Sequence, residues 1–233
     1  MHEHALTPIR PPTELTPFLP MALAPYRSLA PTGQALTAEQ VRAFVQSACP
    51  AANYRGQRIV LIIPDATRTA PVGLMFKTLF NQIAGVAKKF DVMLALGTHP
   101  AMTEAAINER VEITAAERAS TYQNVEFINH EWDNPAALRD LGSIPAEDIK
   151  TLSGGLFAMD VPVHINRRLF DYDQIIICGP VFPHEVVGFS GGNKYLFPGV
   201  AGPGILNFFH WLGAVVTNPM IIGNKWTAVR KVV

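Results

Sequence analysis

Several side chains in this sequence have the type and the setting to do chemistry. Asp65 and Arg68 stand in "PDATR", directly after a short apolar run. Three residues apart across a tight turn, they can face one pocket. The planar guanidinium fork suits a carboxylate or a phosphate. The plainer reading is a turn aspartate capping its own backbone with the arginine paired to it. His99 follows "ALGT" after a second apolar run. It is a candidate general acid or base near neutral pH, or else a loop histidine bonded to backbone.

A glycine-rich stretch, "HEVVGFSGGNKYLFPG" over 184–199, carries one histidine at its head and one lysine among apolar neighbours. It is too rich in glycine for a helix interior and too irregular for a strand. "HEVVG" is not a zinc-protease motif, because Gly188 stands where a second histidine is needed. Glu185 therefore reads as structural or exposed. "SGGNKY" is not a Walker A loop either: Asn193 precedes Lys194, and Tyr195 replaces Ser or Thr. Glycines still let backbone N–H groups approach an anion. Lys194 can pair with a phosphate or, if desolvated, act as a nucleophile. His210 lies in "NFFHWLG". It is either a metal ligand or a satisfied core histidine, and its apolar neighbours favour the core. His2, His4, His130 and His164 have no motif around them and read as incidental or structural.

The elements that must position these residues alternate in kind. "ALTAEQVRAFVQSACP" reads as a helix, with Thr37 as N-cap, Gln40 completing a capping box and Pro50 as stop. "RIVLIIP" (58–64), "DVMLALG" (91–97), "VEFIN" (125–129) and "DQIIICG" (173–179) read as buried strands, with an extended piece around 161–165. Helical patterns follow Pro71, start near Thr103 and Thr114, and run over 202–215 as a buried helix. Strands alternating with helices predict an α/β fold with a largely parallel, Rossmann-like sheet. In such sheets ligands bind beyond the carboxyl ends of the strands. Here that edge collects "PDATRTAP", "GTHPAMT" and the glycine-rich stretch.

Composition bounds the remaining choices. With 233 residues, 48% of them apolar, the chain can bury a real core. Nineteen basic residues balance 19 acidic ones, so nothing points to nucleic acid. No apolar run reaches the roughly 18 residues a membrane helix needs, and no secretory signal pattern opens the chain. Cys49 and Cys178 form neither a metal-type pair nor a disulfide framework, so a cytoplasmic location is expected. Residues 1–35 read as an extended Pro-rich arm and 36–233 as one α/β cofactor-binding, catalytic domain. The closing "NKWTAVRKVV" has apolar residues that call for a partner surface, which suggests a truncated chain lacking a second domain.

Taken together, "DATR", "GTHPAMTE", "HEVVGFSGGNKYLFPGVAG" and "FFHWLG" resemble the nickel-pincer lactate racemases and their 2-hydroxyacid racemase and epimerase relatives. The resemblance runs from about residue 55 onward and matches the N-terminal domain of a two-domain family. It implies racemisation or epimerisation of a small 2-hydroxy acid by proton-coupled hydride transfer. The implied cofactor is a nickel-pincer nucleotide, the nickel complex of pyridinium-3,5-bisthiocarboxylic acid mononucleotide. It would be tethered to Lys194 or held non-covalently. His210 would ligate the nickel, and His99 and His184 would be two acid/base histidines, one for each face of the substrate. Arg68 would hold the substrate carboxylate or polarise the intermediate, and Asp65 would orient the cofactor or Arg68. Gly188, Ser190, Gly191 and Gly192 would cradle phosphate or ribose. Implied partners are the cofactor-biosynthesis proteins and the missing C-terminal domain. Two other readings stand beside this one. One is a non-catalytic cofactor-binding domain that needs a separate C-terminal half. The other is a mononuclear zinc hydrolase, which would leave Lys194 without a role.

Overall fold

The computed structural model describes residues 26–233. Most of the expected Pro-rich arm, with His2 and His4, lies outside the described residues. In chain order the elements are α1 (Ala38–Ala48), β1 (Arg58–Pro64), α2 (Val72–Ile83), β2 (Lys89–Ala95), α3 (Glu104–Arg110), α4 (Ala115–Ala119), β3 (Phe127–Asn129), β4 (Leu138–Ile144), α5 (Ala146–Leu152), β5 (Val161–Asn166) and β6 (Gln174–Ile177). A two-residue-per-strand hairpin follows, β7 (Pro183–His184) with β8 (Gly188–Phe189), then α6 (Pro203–Val216), α7 (Asn218–Ile221) and α8 (Ala228–Val232).

The main sheet has four parallel strands in the order β3-β2-β1-β6. Successive side chains of a strand point to opposite faces. Ile59, Leu61 and Ile63 of β1 therefore enter one cluster with Phe76, Leu79 and Ile83 of α2. Val60 and Ile62 enter another with Met93, Ile165, Leu169 and Tyr195. Burial on both faces explains why β1 reads as an unbroken apolar run. The expected capping box at the head of α1 is present: the Thr37 side chain accepts from Gln40 N–H, and the Gln40 side chain accepts from Thr37 N–H. Thr103 and Thr114 cap α3 and α4. At the amino end of the sheet, Arg58 donates to both carboxylate oxygens of Asp173, at 3.2 and 2.9 Å, and so ties β1 to the residue before β6.

One expectation changes. The extended piece near 161–165 does not extend the main sheet; as β5 it pairs antiparallel with β4 in a separate two-stranded sheet. The sequence gives no sign of β4, "LRDLGSI", because it is polar and its register shifts between Asp140 and Ser143, where Gly142 has φ 98°. Of the closing apolar residues, Trp226 is exposed and the valines pack inward. Val229 and Val232 of α8 are buried with Ile205, Phe209 and Leu212 of α6. Among the described residues no helix is long and apolar enough to cross a membrane.

Candidate functional site

The main sheet changes winding direction at β1, with β2 on one side and β6 on the other. The loops after these three strands converge there, as the switch-point rule requires. The register places Pro64 opposite Ala95, so the residues that follow them are neighbours. Asp65 accepts from the Thr67 backbone N–H at 3.1 Å and the Thr67 hydroxyl at 2.5 Å. Its other carboxylate oxygen bonds His99 Nδ1. Burial opposes ionisation of Asp65, but the bonds from Thr67 and His99 outweigh it and hold the carboxyl below its usual range. A carboxylate only accepts, so His99 Nδ1 carries a hydrogen, and in the neutral ring Nε2 keeps its lone pair.

The expected turn cap at Asp65 is therefore present, but the expected Asp65–Arg68 pair is not. The Arg68 guanidinium bonds only the neighbouring Thr67 hydroxyl, at 3.4 Å, among the described residues. Its guanidinium lines the same cleft as His99. Behind the loop, Arg110 at the end of α3 donates to the carbonyls of Pro64, at 3.1 Å, and Arg68, at 2.8 Å. Nothing in the sequence around Arg110 points to this role.

The glycine-rich stretch forms the opposite wall. His184 is buried, and its Nδ1 accepts from the Val186 backbone N–H at 3.0 Å. Burial pushes its pKa down to about 4, reinforced by the Lys194 charge and, more weakly, by Arg68. The Lys194 ammonium is held down to about 8, first by burial and then by Arg68. Lys194 sits in a short 3-10 turn, Gly192–Tyr195, entered through Gly191 at φ 79°. A side chain at Gly191 would meet Val181 and, at 2.8 Å, the Pro180 carbonyl.

Two of the expected cradle residues are spent on the fold. Gly188, at φ 81°, does not line the cleft: its missing side chain makes room for the Asn224 carbonyl. The Ser190 hydroxyl accepts from Phe182 N–H at 3.0 Å and reaches the Pro180 carbonyl at 3.3 Å, so it braces the hairpin. Ser190 and Gly191 do line the cleft, whereas Gly192 is exposed beside the Arg230 guanidinium. Arg230 is a nearby cation that the sequence did not single out.

His210 corrects the core reading. Helix α6 buries Leu206, Phe209 and Leu212 on one face, and His210 lies on the exposed side, lining the cleft. Its Nδ1 lies 2.8 Å from the Leu206 carbonyl one turn back. A carbonyl only accepts, so Nε2 keeps its lone pair, the arrangement typical of a metal-binding imidazole. His130 is buried between the Ala201 carbonyl and the Asn166 amide, a satisfied core histidine.

Asp65, Arg68, His99, His184, Lys194 and His210 thus line one cleft of about 190 Å³. Among the described residues no three His, Cys, Asp or Glu side chains converge as a metal cage. His210 would therefore be a metal's protein donor without a three-residue cage among the described residues, which fits a cofactor that carries its own metal and donors.

Over 147 residues the chain is 28% identical to lactate racemase of Thermoanaerobacterium thermosaccharolyticum, covering 62% of this chain and 30% of that protein. It is 27% identical over 146 residues to lactate racemase of Lactiplantibacillus plantarum, again covering 30% of the relative. The chain thus spans about a third of the length of these curated relatives. A crystal structure of a Thermotoga maritima protein superposes with a TM-score of 0.76 at 30% identity, covering 84% of this chain and 46% of that one. The lactate racemase apoprotein of T. thermosaccharolyticum shares the fold at a TM-score of 0.52 and 24% identity, covering 66% of this chain and 33% of that one. The family model for the lactate racemase N-terminal domain matches residues 32–220, and the chain belongs to that family.

Proposed function

We propose that this member of the lactate racemase N-terminal domain family carries the cofactor-binding side of a nickel-dependent 2-hydroxyacid racemase or epimerase. The observation behind this reading is the convergence of three histidines, a depressed lysine and an arginine in one cleft at the switch point. When bound, a nickel-pincer nucleotide would supply a centre that accepts hydride from a secondary alcohol and returns it.

The chain's own residues have matching tasks. His210 offers Nε2 to the metal, fixed in orientation by the Leu206 carbonyl. Lys194 presents an amine that is partly neutral near pH 8 and can form or support the tether. Arg68, with little else to bind, can take the substrate carboxylate in a two-pronged hydrogen bond. His99 can take the hydroxyl proton at Nε2 while Asp65 steadies the imidazolium.

A second reading is favoured by the surface of α6–α8. Trp211 is 53% exposed and Trp226 76%, with Val215, Met220 and Ile222 also exposed. Apolar groups on the helix that bears His210 would suit a C-terminal half closing over the cleft. The chain alone would then bind the cofactor without turning over.

The test is to produce the chain together with pincer-biosynthesis proteins and to measure intact mass and nickel. The expected result is a nucleotide-sized adduct at Lys194, or an equivalent non-covalent load, with about one nickel per chain. His210→Ala should fold and lose the nickel. A folded, loaded His210→Ala that kept its nickel would refute the assignment. Racemisation of 2-hydroxy acids by the chain alone, or only after a C-terminal half is added, separates the two readings.

A further inference from the structure

One wall of the cleft is made by two loops. Asp65 and Arg68 come from the loop after β1, and His99 from the loop after β2. On the cleft side the Asp65–His99 bond joins them. On the far side a single short helix touches both. The loop with His99 runs through Met102 into Thr103, the N-cap of α3. The Asn129 carboxamide, at the end of β3, accepts from the Met102 N–H at 3.0 Å and donates to the Met102 carbonyl at 2.9 Å. At the other end of α3, Arg110 donates from Nε to the Pro64 carbonyl at 3.1 Å and from Nη2 to the Arg68 carbonyl at 2.8 Å. Pro64 and Arg68 bracket the stretch that carries the site residues of that loop.

A guanidinium is a rigid plane with its donors at fixed angles. By bonding both carbonyls at once, Arg110 fixes the distance between the two ends of the stretch. The end of α3 is itself held in place. Val111 is fully buried. Glu112, at φ 57°, lays its side chain over Gly73 in the first turn of α2, where any Cβ would collide with it. Helix α3 spans seven residues, about 10 Å. One end therefore serves the loop of His99 and the other the loop of Arg68.

We propose that α3 is a strut that holds the two loops in register, and that Arg110 is the positioning residue through which it sets where Asp65 meets His99 and where Arg68 faces the cleft. Arg110 does not line the cleft and acts only through the two carbonyls. The consequence for rate rests on the proposed function; the coupling of the loops does not.

The test compares Arg110→Ala and Arg110→Lys with Arg167→Ala, in which an arginine bond to the Ala136 carbonyl is lost away from both loops. On the cofactor-free chain labelled with ¹⁵N-histidine, the His99 Nδ1–H resonance reports the bond to Asp65, and His99→Gln assigns it. The expected result is a slowly exchanging signal in the parent and in Arg167→Ala. In folded Arg110→Ala the signal should be lost, and added guanidinium ion, which can take the place of the side chain, should bring it back. Arg110→Lys keeps the charge but offers one nitrogen to two carbonyls. It should weaken the signal and speed amide exchange over 65–68, and it carries the test alone if Arg110→Ala does not fold. A folded Arg110→Ala or Arg110→Lys with the parent's His99 signal and the parent's exchange over 65–68 would overturn the proposal. In cofactor-loaded, active enzyme, Arg110→Ala should lose roughly 100-fold in kcat/KM while fully folded, as misplaced reacting groups do, and guanidinium should restore part of the loss. Full activity in that variant would overturn the proposal as well. The resonance needs neither nickel nor turnover, so a chain that never racemises would remove the proposed function and leave the strut standing.

Discussion

Replacing Lys194 by methionine should make the protein more stable. The lysine titrates near 8 in the fold, against 10.5 for an ordinary lysine. Burial is the main cause, and Arg68 adds like-charge repulsion. The unfolded chain therefore binds more protons than the folded one between pH 8 and 10.5, and folding is penalised in full below pH 8. At about 1.36 kcal/mol per unit, the shift sets a ceiling of about 3.4 kcal/mol. Solvent reaching the open side of the cleft reduces this to about 2 kcal/mol. Methionine has similar length and no charge, so Lys194→Met should recover that amount, about 4–8 °C in Tm for a chain of this size. Thermal or urea unfolding at pH 7 measures it. Repeating the comparison as pH rises from 8 to 10.5 should shrink the gain towards zero, because the lysine then becomes neutral in both states. A variant less stable than the parent at pH 7, or a gain equal at pH 7 and pH 10.5, would refute the reasoning.

Arg110→Ala removes two charged bonds to the carbonyls of Pro64 and Arg68. It should cost about 2–4 kcal/mol and speed amide exchange over 65–68, the loop that carries Asp65 and Arg68 into the cleft. His184 titrates near 4 in the fold against 6.5 ordinarily. The unfolded chain thus binds more protons across that window, and stability should fall by up to about 3 kcal/mol as pH drops from 6.5 to 4. His184→Gln should flatten this limb of the pH–stability curve. Gly191→Ala places a side chain at φ 79° against Val181 and the Pro180 carbonyl. Denaturant unfolding should show a loss of about 1–3 kcal/mol.

The strands of the main sheet were legible because burial on both faces leaves an apolar run that nothing interrupts, as in "RIVLIIP". Helix starts were legible where a threonine cap is a local event, as at Thr37, Thr103 and Thr114. Strand β4 was hidden because it is polar, half-exposed and bulged. For His210 the aromatic neighbours alone suggest burial, whereas at 100° per residue a single position can leave an apolar stripe. The residues after β1 and β2 were each noticed, but the Asp65–His99 contact was not. It follows from parallel register, which sets the ends of adjacent strands side by side. The part played by Arg110 depends on tertiary contacts across 42 and 46 positions of chain, and no local pattern encodes it.

The pairing of β1 with β6, latched by Arg58 and Asp173 across 115 positions of chain, also sets an order of events. Strands β1 and β2 are joined by a single helix and can meet early. Strand β6 must close a far longer loop, and contacts of that separation slow folding. Asp65 and His99 are thus side by side in the early unit, while His184, Lys194 and His210 all follow β6 and arrive with the late closure. Ribosomal synthesis runs in the same direction, so the wall with Asp65 and His99 precedes the wall with His184, Lys194 and His210. The cleft is complete only at the end of folding, and a pulse of hydrogen exchange during refolding should protect β1 and β2 before β6.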